Sequence, residues 1–141
     1  MQCNAGNPPD CSASNPNAGQ PAWQGNETYL LLANNWGHPG ESADAIRRWQ
    51  ATQTGTISIS TNGNTISDGD SSYGDGVLVY IKKNGAALWQ GSVANGGSIT
   101  VPSSDPALNN VAVVNGDRID FWINKGSGNN WCDKTAHSVI S

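Results

Sequence analysis

The sequence predicts an all-β protein that folds as a single-domain, antiparallel β-sandwich of the jelly-roll kind. Three observations support this fold class. From residue 23 onward, short apolar runs are broken by Gly, Asn, Asp or Pro about every eight to twelve residues, which is the spacing of sandwich strands. Several runs alternate between apolar and polar residues, as strands with one wet face do. The only helical candidate, residues 42–49, fits a strand that begins at Ile46 equally well.

The chain divides into a linker and one domain. Residues 1–20 contain Pro8, Pro9 and Pro16 among small and amide residues and almost nothing apolar, which is linker composition. The whole chain of 141 residues is long enough for one hydrophobic core but short for two. We therefore expect a tether over residues 1–20 and a sandwich over residues 21–141.

Seven strands are marked clearly enough to be placed in order. Asn84-Gly85 predicts a tight hairpin turn because both residues tolerate positive φ. Asn115-Gly116-Asp117 predicts a second turn. The expected strands cover residues 28–32, 55–60, 76–82, 87–92, 98–101, 111–114 and 118–124.

Alternation separates an inward from an outward set in the two longest of these strands. Successive side chains of a strand point to opposite faces, so Tyr80 and Trp122 are expected to point away from the core. Leu78 and Lys82 share the outward face with Tyr80. The expected inward set is Val77, Val79, Ile81, Ile119, Phe121 and Ile123.

Composition and charge exclude several partner classes. Charged residues make up 13% of the chain, against roughly 25% in ordinary soluble domains. The net charge is -4, and no basic cluster exceeds a pair of residues, so the chain lacks the positive surface that nucleic acid requires. No apolar run approaches the roughly 18 residues that span a bilayer. These observations favour a neutral partner and argue against nucleic acid and membrane.

The three cysteines predict an oxidising environment. Cys3, Cys11 and Cys132 allow at most one internal disulfide and leave one thiol over. A Cys3–Cys11 bridge and a bridge from either of them to Cys132 both remain open. A zinc site is disfavoured because no Cys-x-x-Cys pair exists. We therefore expect a secreted, extracellular protein with a disulfide.

Aromatic residues with a polar atom are unusually frequent, with six Trp and three Tyr against one Phe. A sugar ring presents a flat C–H face and a rim of hydroxyls, so a sugar site needs an aromatic platform with a few polar partners. Trp49 and Trp23 are assigned to the core and to one end of the sandwich. The candidate sugar-binding residues are Trp122, Tyr80, Trp36, Trp131 and Trp89, with Asp120, Asn124 and Gln90 as hydroxyl partners.

Three of these aromatic candidates depend on local context. Trp36 and Trp131 lie in loops rich in Gly and Asn, with little apolar mass to bury against. Trp89 follows Leu88 within a strand, so strict alternation requires one of these two side chains to face outward. Both loop tryptophans and Trp89 are therefore expected to be accessible to a ligand.

The segment 68–76 suggests calcium. Asp68, Asp70 and Asp75 lie within eight residues on a Gly-rich and Ser-rich loop, and oxygen-rich loops of this kind can bind Ca²⁺. The segment begins like an EF-hand loop but lacks that loop's third Asp, its Gly at the sixth position and its final Glu. An ordinary Asp/Gly turn is the alternative. No organic cofactor is expected.

Catalytic interpretations have little support. The only two glutamates, Glu27 and Glu41, carry no signature of a glycosidase pocket. Cys132, Asp133 and His137 lie within six residues of one another, whereas a catalytic thiol and its base usually converge from distant segments. We therefore expect the chain not to be an enzyme.

Several short motifs together resemble a known class of module. They are Arg47-Arg48-Trp49, Gly74-Asp75-Gly76-Val77, Lys83-Asn84-Gly85, Leu88-Trp89, Gly116-Asp117-Arg118-Ile119-Asp120-Phe121 and Asp133-Lys134-Thr135. Over about residues 23–141 the chain resembles β-sandwich modules attached to bacterial polysaccharide-degrading enzymes, and among them carbohydrate-binding module family eighty-one. The matched pieces are mostly turns and core strands.

This resemblance implies non-catalytic binding of a neutral β-glucan, a β-1,4-glucan such as cellulose or cello-oligosaccharides above all. It also implies that residues 1–20 tether the module to a glycoside hydrolase. The alternative interpretation is a structural or adhesive sandwich domain that has no sugar ligand and uses its aromatic residues to contact protein.

Overall fold

The computed structural model describes residues 22–27, 29–33, 36–59, 65–68, 74–128, 133 and 135–137. Within these residues the chain forms twelve β-strands and no helix, which confirms the all-β prediction. The strands are β1 (Ala22–Gln24), β2 (Leu31–Ala33), β3 (Trp36–His38), β4 (Ala45–Gln50), β5 (Gly55–Ile57), β6 (Thr65–Asp68), β7 (Val77–Lys83), β8 (Ala86–Val93), β9 (Ser98–Thr100), β10 (Val111–Val113), β11 (Arg118–Asn124) and β12 (Thr135–His137).

The strands form three antiparallel sheets that make up a β-sandwich. A six-stranded sheet has the order β1-β2-β3-β12-β6-β9, and a four-stranded sheet has the order β4-β11-β7-β8. Strands β5 and β10 form a small third sheet. No helix long and apolar enough to cross a membrane occurs in the described part of the chain.

The core lies on the inner face of the four-stranded sheet. Val79, Val93 and Ile123 are buried there and pack against Ile66 of β6 and Ile99 of β9, two strands of the six-stranded sheet. Fully burying an aliphatic side chain of this size contributes about 1.5–3 kcal/mol. This contact therefore joins the two larger sheets.

A second cluster extends the core toward the small sheet. Ile81 and Ile119 of the four-stranded sheet meet Val111 and Val113 of β10 and the fully buried Leu108. The two clusters share the half-buried Ile66 and Trp89. The described residues thus bury one continuous apolar layer.

The observed burial confirms the parity expected from alternation. In β7 the residues alternate between buried and half-buried, with Val77, Val79 and Ile81 inside. In β11 Ile119 and Ile123 are buried, and Phe121 packs against the core although it is only half-buried. Tyr80 and Trp122 pair with each other in the β7–β11 register and so share a face. Because each lies between two inward residues of its strand, that face is the one opposite the core.

The expected hairpin turn joins β7 to β8. Asn84 and Gly85 both have positive φ, at 50° and 91°, as a two-residue turn between right-twisted strands requires. The Asn84 side chain also donates a hydrogen bond to Asp117 at 2.8 Å, across to the turn at Gly116. The two turns predicted from sequence are therefore formed and linked.

A β-bulge interrupts the pairing of β7 with β8. Ile81 pairs with Trp89 whereas Lys82 pairs with Ala87, so Leu88 is the extra residue. Because a bulge turns two consecutive residues toward one face, both Leu88 and Trp89 pack against the core. The expectation that one of these two side chains must face outward is wrong for this reason.

Several short strands differ from the expectation. Strand β2 lies later than the predicted segment 28–32, and the helical candidate at 42–49 is mostly β4. Strands β1, β3, β6 and β12 were not marked by any pattern, because each has only three or four residues. The linker at residues 1–20 and the three cysteines lie outside the described residues.

A glycine pair offers a test of the close packing at the start of β7. A Cβ atom added at Gly76 would lie 2.3 Å from the Val93 carbonyl oxygen, and Gly76 has φ of +94°. Gly85 has nearly the same φ, +91°, with nothing within 4 Å. We expect Gly85→Ala to cost about 1–2 kcal/mol from backbone strain alone and Gly76→Ala about 3 kcal/mol or more. Urea unfolding measures both, and equal losses would contradict the close approach.

Candidate functional site

The outer face of the four-stranded sheet carries most of the expected sugar-binding residues. We define this outer face by the side chains that strand register places opposite the core. They are Ile46, Arg48 and Gln50 of β4, Arg118, Asp120, Trp122 and Asn124 of β11, Leu78, Tyr80 and Lys82 of β7, and Gln90 and Ser92 of β8.

Three of the candidates lie in one row across adjacent strands. Tyr80 is directly opposite Trp122 on one side and directly opposite Gln90 on the other. Trp122 and Tyr80 are half-buried, and Gln90 is exposed. Neighbouring strands lie about 4.8 Å apart, so the two rings and the amide form a continuous strip.

A lysine covers this strip. The Lys82 ammonium lies 3.5 Å from the centre of the Trp122 ring and 4.6 Å from the centre of the Tyr80 ring. A cation over an aromatic face is attracted by about 0.5–1 kcal/mol at an exposed site. Lys82 was expected on this face but not as a contact of the platform, and it occupies the surface on which a sugar would stack.

Asp120 is committed to an ion pair. Its carboxylate accepts two hydrogen bonds from Arg48, at 2.7 Å from Nε and 2.8 Å from Nη2. Asp120 is 3% exposed although it lies on the outer face. The hydrogen bond from Arg48 holds the pKa of the Asp120 carboxyl below its ordinary value, and burial opposes part of that effect.

The indole nitrogen of Trp122 is close to the same carboxylate. Trp122 Nε1 is buried and makes no hydrogen bond of ordinary geometry, yet the indole helps to lower the pKa of Asp120. We take the indole to lie beside Asp120 at more than hydrogen-bonding distance or at a poor angle. The ring is thereby oriented by Asp120 on one edge and Lys82 on its face.

Asn124 is used within the fold. Its side-chain amide donates to Asp44 at 2.5 Å, and its oxygen accepts the Gly126 amide at 2.7 Å. These contacts tie the end of β11 to the segments on both sides. Each of these bonds uses one of the two N–H groups or one of the two acceptor sites of the Asn124 amide, so the amide keeps hydrogen-bonding capacity but is fixed in orientation by the fold.

Two of the aromatic candidates do not reach the outer face. Trp36 is not in an exposed loop but in β3, where it is 2% exposed and packs with Ala33. The sequence around Trp36 is rich in Gly and Asn and gives no signal of this three-residue strand. The expectation that Trp36 is accessible to a ligand is therefore wrong. Trp89 packs against the core because of the bulge in β8. Trp131 lies outside the described residues.

One exposed tryptophan was missed. Trp49 was assigned to the core but is 43% exposed. It pairs with Ile119 near the end of the four-stranded sheet, on the parity of the inner face. β4 is an edge strand of this sheet, and there the inner parity does not bury Trp49. Strand alternation alone carries no signal for which strand lies at an edge.

The acidic residues of the predicted calcium loop are partly described. Asp68 is buried at the end of β6, and its Oδ2 atom accepts the Gly96 amide at 3.1 Å. Asp75 is exposed just before β7, and Asp70 lies outside the described residues. No three Asp, Glu, His or Cys side chains in the described segments are grouped so that they could hold a metal ion as they stand.

A further carboxylate lies near this loop. Asp133 is completely buried, and neither of its carboxylate oxygens has a hydrogen bond of ordinary geometry. Burial first, and then the negative charges of Asp75 and Asp68, raises the pKa of the Asp133 carboxyl to about 7. The peptide groups of Asp75 and Gly76 oppose part of this rise. Sequence reasoning considered Asp133 only as an unconvincing catalytic residue.

Comparison with known proteins adds no relative. The chain matches no protein-family model, and no curated protein or solved structure is similar enough to count as a match. The geometry of the outer face and the motifs within the sequence are therefore the features that bear on function.

The Arg48–Asp120 pair has a pH signature. Because the folded pKa of Asp120 lies below its ordinary value of 3.8, the pair stabilises the fold above about pH 4 and loses this effect as the pH falls through the folded pKa. We expect Arg48→Met to lower stability at pH 7 and to differ less from the unsubstituted protein at pH 3. Urea unfolding at both values measures the difference.

Arg118 provides the matched control for this prediction. It lies on the same face, is exposed, and adds only the smallest of the effects on the pKa of Asp120. Arg118→Met should change stability little at either pH. A loss for Arg48→Met that is as large at pH 3 as at pH 7 would contradict the assignment.

Proposed function

We propose that the chain is a non-catalytic carbohydrate-binding module that binds a neutral β-glucan, of the β-1,4-linked type, along the outer face of the four-stranded sheet. The single observation that carries the proposal is the row formed by Trp122, Tyr80 and Gln90 on three adjacent strands. The low charge of the chain, 13% of its residues, supports a neutral ligand.

The proposed contact is a stack of sugar rings on the two aromatic side chains. Trp122 and Tyr80 have a large apolar surface at small cost in side-chain entropy, and their polar atoms tolerate a wet surface. The exposed Gln90 amide extends the row and can donate to and accept from sugar hydroxyls. A rigid sheet holds these groups at fixed spacing, which limits the ordering cost on binding.

Lys82 sets the condition for such a stack. Its ammonium must leave the face of Trp122 before a sugar ring can lie there, and the four-carbon stem of lysine allows this movement. The cost is that of the cation–π contact, about 0.5–1 kcal/mol.

The proposed cellular setting is supported by the sequence motifs and not by the geometry of the outer face. The resemblance to modules of polysaccharide-degrading enzymes supports an extracellular protein whose residues 1–20 link it to a glycoside hydrolase. In that setting the module brings the hydrolase to its substrate. A structural or adhesive sandwich that contacts protein through the same face is the outcome if no glycan binds.

Paired tryptophan variants test the site. Affinity electrophoresis against soluble β-glucans, xylans and mannans should show retardation by β-glucan, and Trp122→Ala should weaken it at least about tenfold, the loss typical of a central aromatic contact. Trp49→Ala removes a tryptophan that is exposed but lies on the other parity of the same sheet, and it should leave retardation unchanged. Equal loss in both variants, or no retardation by any glycan, would overturn the proposal.

The position of Lys82 predicts an unusual variant effect. Because its ammonium competes with a neutral sugar for the Trp122 ring, Lys82→Ala should strengthen binding of cello-oligosaccharides by about two- to fivefold, the equivalent of the cation–π contact. Affinity for a neutral ligand should also respond little to salt. Isothermal titration measures both. Weaker binding in the variant, with a steep loss of affinity in salt, would point to an acidic polysaccharide instead.

A further inference from the structure

Three carboxylates converge from separate parts of the chain, away from the outer face. Asp68 ends β6, Asp75 precedes β7, and Asp133 precedes β12. Thr135 lies directly opposite Asp68 in the β12–β6 register, so Asp133 lies only two residues from the position opposite Asp68. The charges of Asp75 and Asp68 also act on the Asp133 carboxyl. Because strands β6 and β12 belong to the six-stranded sheet and β7 to the four-stranded sheet, the three carboxylates stand where the two sheets meet.

Asp133 is the member of this group that calls for an explanation. It is completely buried, and both of its oxygens lack a hydrogen bond of ordinary geometry, although the peptide groups of Asp75 and Gly76 lie near enough to lower its pKa in part. The ion pairs among the described residues involve Asp120, Asp117 and Glu41, and none of them reaches Asp133. An ionised carboxylate buried in this way is costly unless it is paired or bound to a metal.

The groups around Asp133 favour a hard metal cation. The side chains that meet here offer oxygen atoms, and oxygen-only ligand sets suit Ca²⁺ and other hard cations rather than zinc. The loop before β7 is also held in place, because the Asn95 amide donates to the Gly74 carbonyl oxygen. Asp75 itself lies against the Gly128 backbone, where an added Cβ would collide with its carboxylate.

We propose that Asp133 is the buried ligand of a Ca²⁺ site that it forms with Asp75 and Asp68. As they stand, the three carboxylates do not form a group that could hold a metal ion, so binding requires their side chains to move closer together. A divalent cation supplies the attraction for this movement, because it offsets the repulsion between the carboxylates. The expected calcium ligands all lay in segment 68–76, whereas in this proposal the central ligand is Asp133. The bound ion would link the two large sheets. The site is independent of the proposed glycan surface.

The test measures binding and stability on the full chain. After treatment with EDTA and buffer exchange at pH 7.5, CaCl₂ is titrated while the melting temperature is followed by circular dichroism, with NaCl of equal ionic strength as the salt control. Saturating Ca²⁺ should raise the melting temperature by on the order of 5 °C, and calorimetry should show one site. MgCl₂ should act more weakly because the smaller ion demands a stricter geometry.

Asp→Asn variants assign the ligand. Asp133→Asn should weaken Ca²⁺ binding at least about tenfold and, in EDTA, melt at or above the unsubstituted protein, because the amide carries no charge into the buried site. Asp75→Asn, at an exposed position, should also weaken Ca²⁺ binding and decides the question if Asp133→Asn does not fold. Asp105→Asn, a change in a distant turn that keeps an acceptor for the Ala107 amide, should leave Ca²⁺ binding unchanged.

Three results would overturn the proposal. The first is a melting temperature that CaCl₂ does not raise beyond the NaCl control. The second is an Asp133→Asn or Asp75→Asn variant that binds Ca²⁺ as tightly as the unsubstituted protein. The third is an equal loss in Asp105→Asn, which would indicate a general effect of net charge. None of these results depends on whether a glycan binds.

Discussion

The packing of the inner face of the four-stranded sheet is the contact on which the rest of the molecule depends. Val79 and Ile123 face Ile66 and Ile99 of the other large sheet across this layer. Because side chains alternate along a strand, burying this set leaves Tyr80 and Trp122 no choice of face. If the register slipped by one residue, the apolar side chains would face solvent and Tyr80 and Trp122 would face the core. The packing of the apolar layer therefore fixes the positions of the candidate site residues as well as the fold.

The outer face is a mixed surface rather than a bare aromatic one. Arg48 neutralises Asp120, and Lys82 rests on the rings of Trp122 and Tyr80. These contacts keep two aromatic residues from forming an exposed apolar patch, which in a soluble protein invites association. The two contacts differ in kind: Lys82 rests on the rings through a cation–π contact alone, whereas Asp120 is buried beside the indole and is held by the exposed Arg48.

Sequence reasoning predicted the long strands well and the irregular parts poorly. Strand β11 lies at the predicted segment, and the tight turn at Asn84-Gly85 forms as expected, since both depend on local signals. Trp36 and Trp89 were misplaced for different reasons: one lies in a strand too short to show alternation, and the other follows a bulge. The role of Asp133 could not be predicted, because it arises only when distant carboxylates converge in the fold.

The position of β12 has a consequence for how the chain folds. This strand of three residues lies between β3 and β6, so the six-stranded sheet is divided into two pieces until residues 135–137 take their place. Each partner lies far back along the chain, and closing loops of that length before any contact is gained is slow. During synthesis the exposed edges of β3 and β6 must therefore wait for β12 to leave the ribosome, and over that interval they are open to pairing with a neighbouring chain.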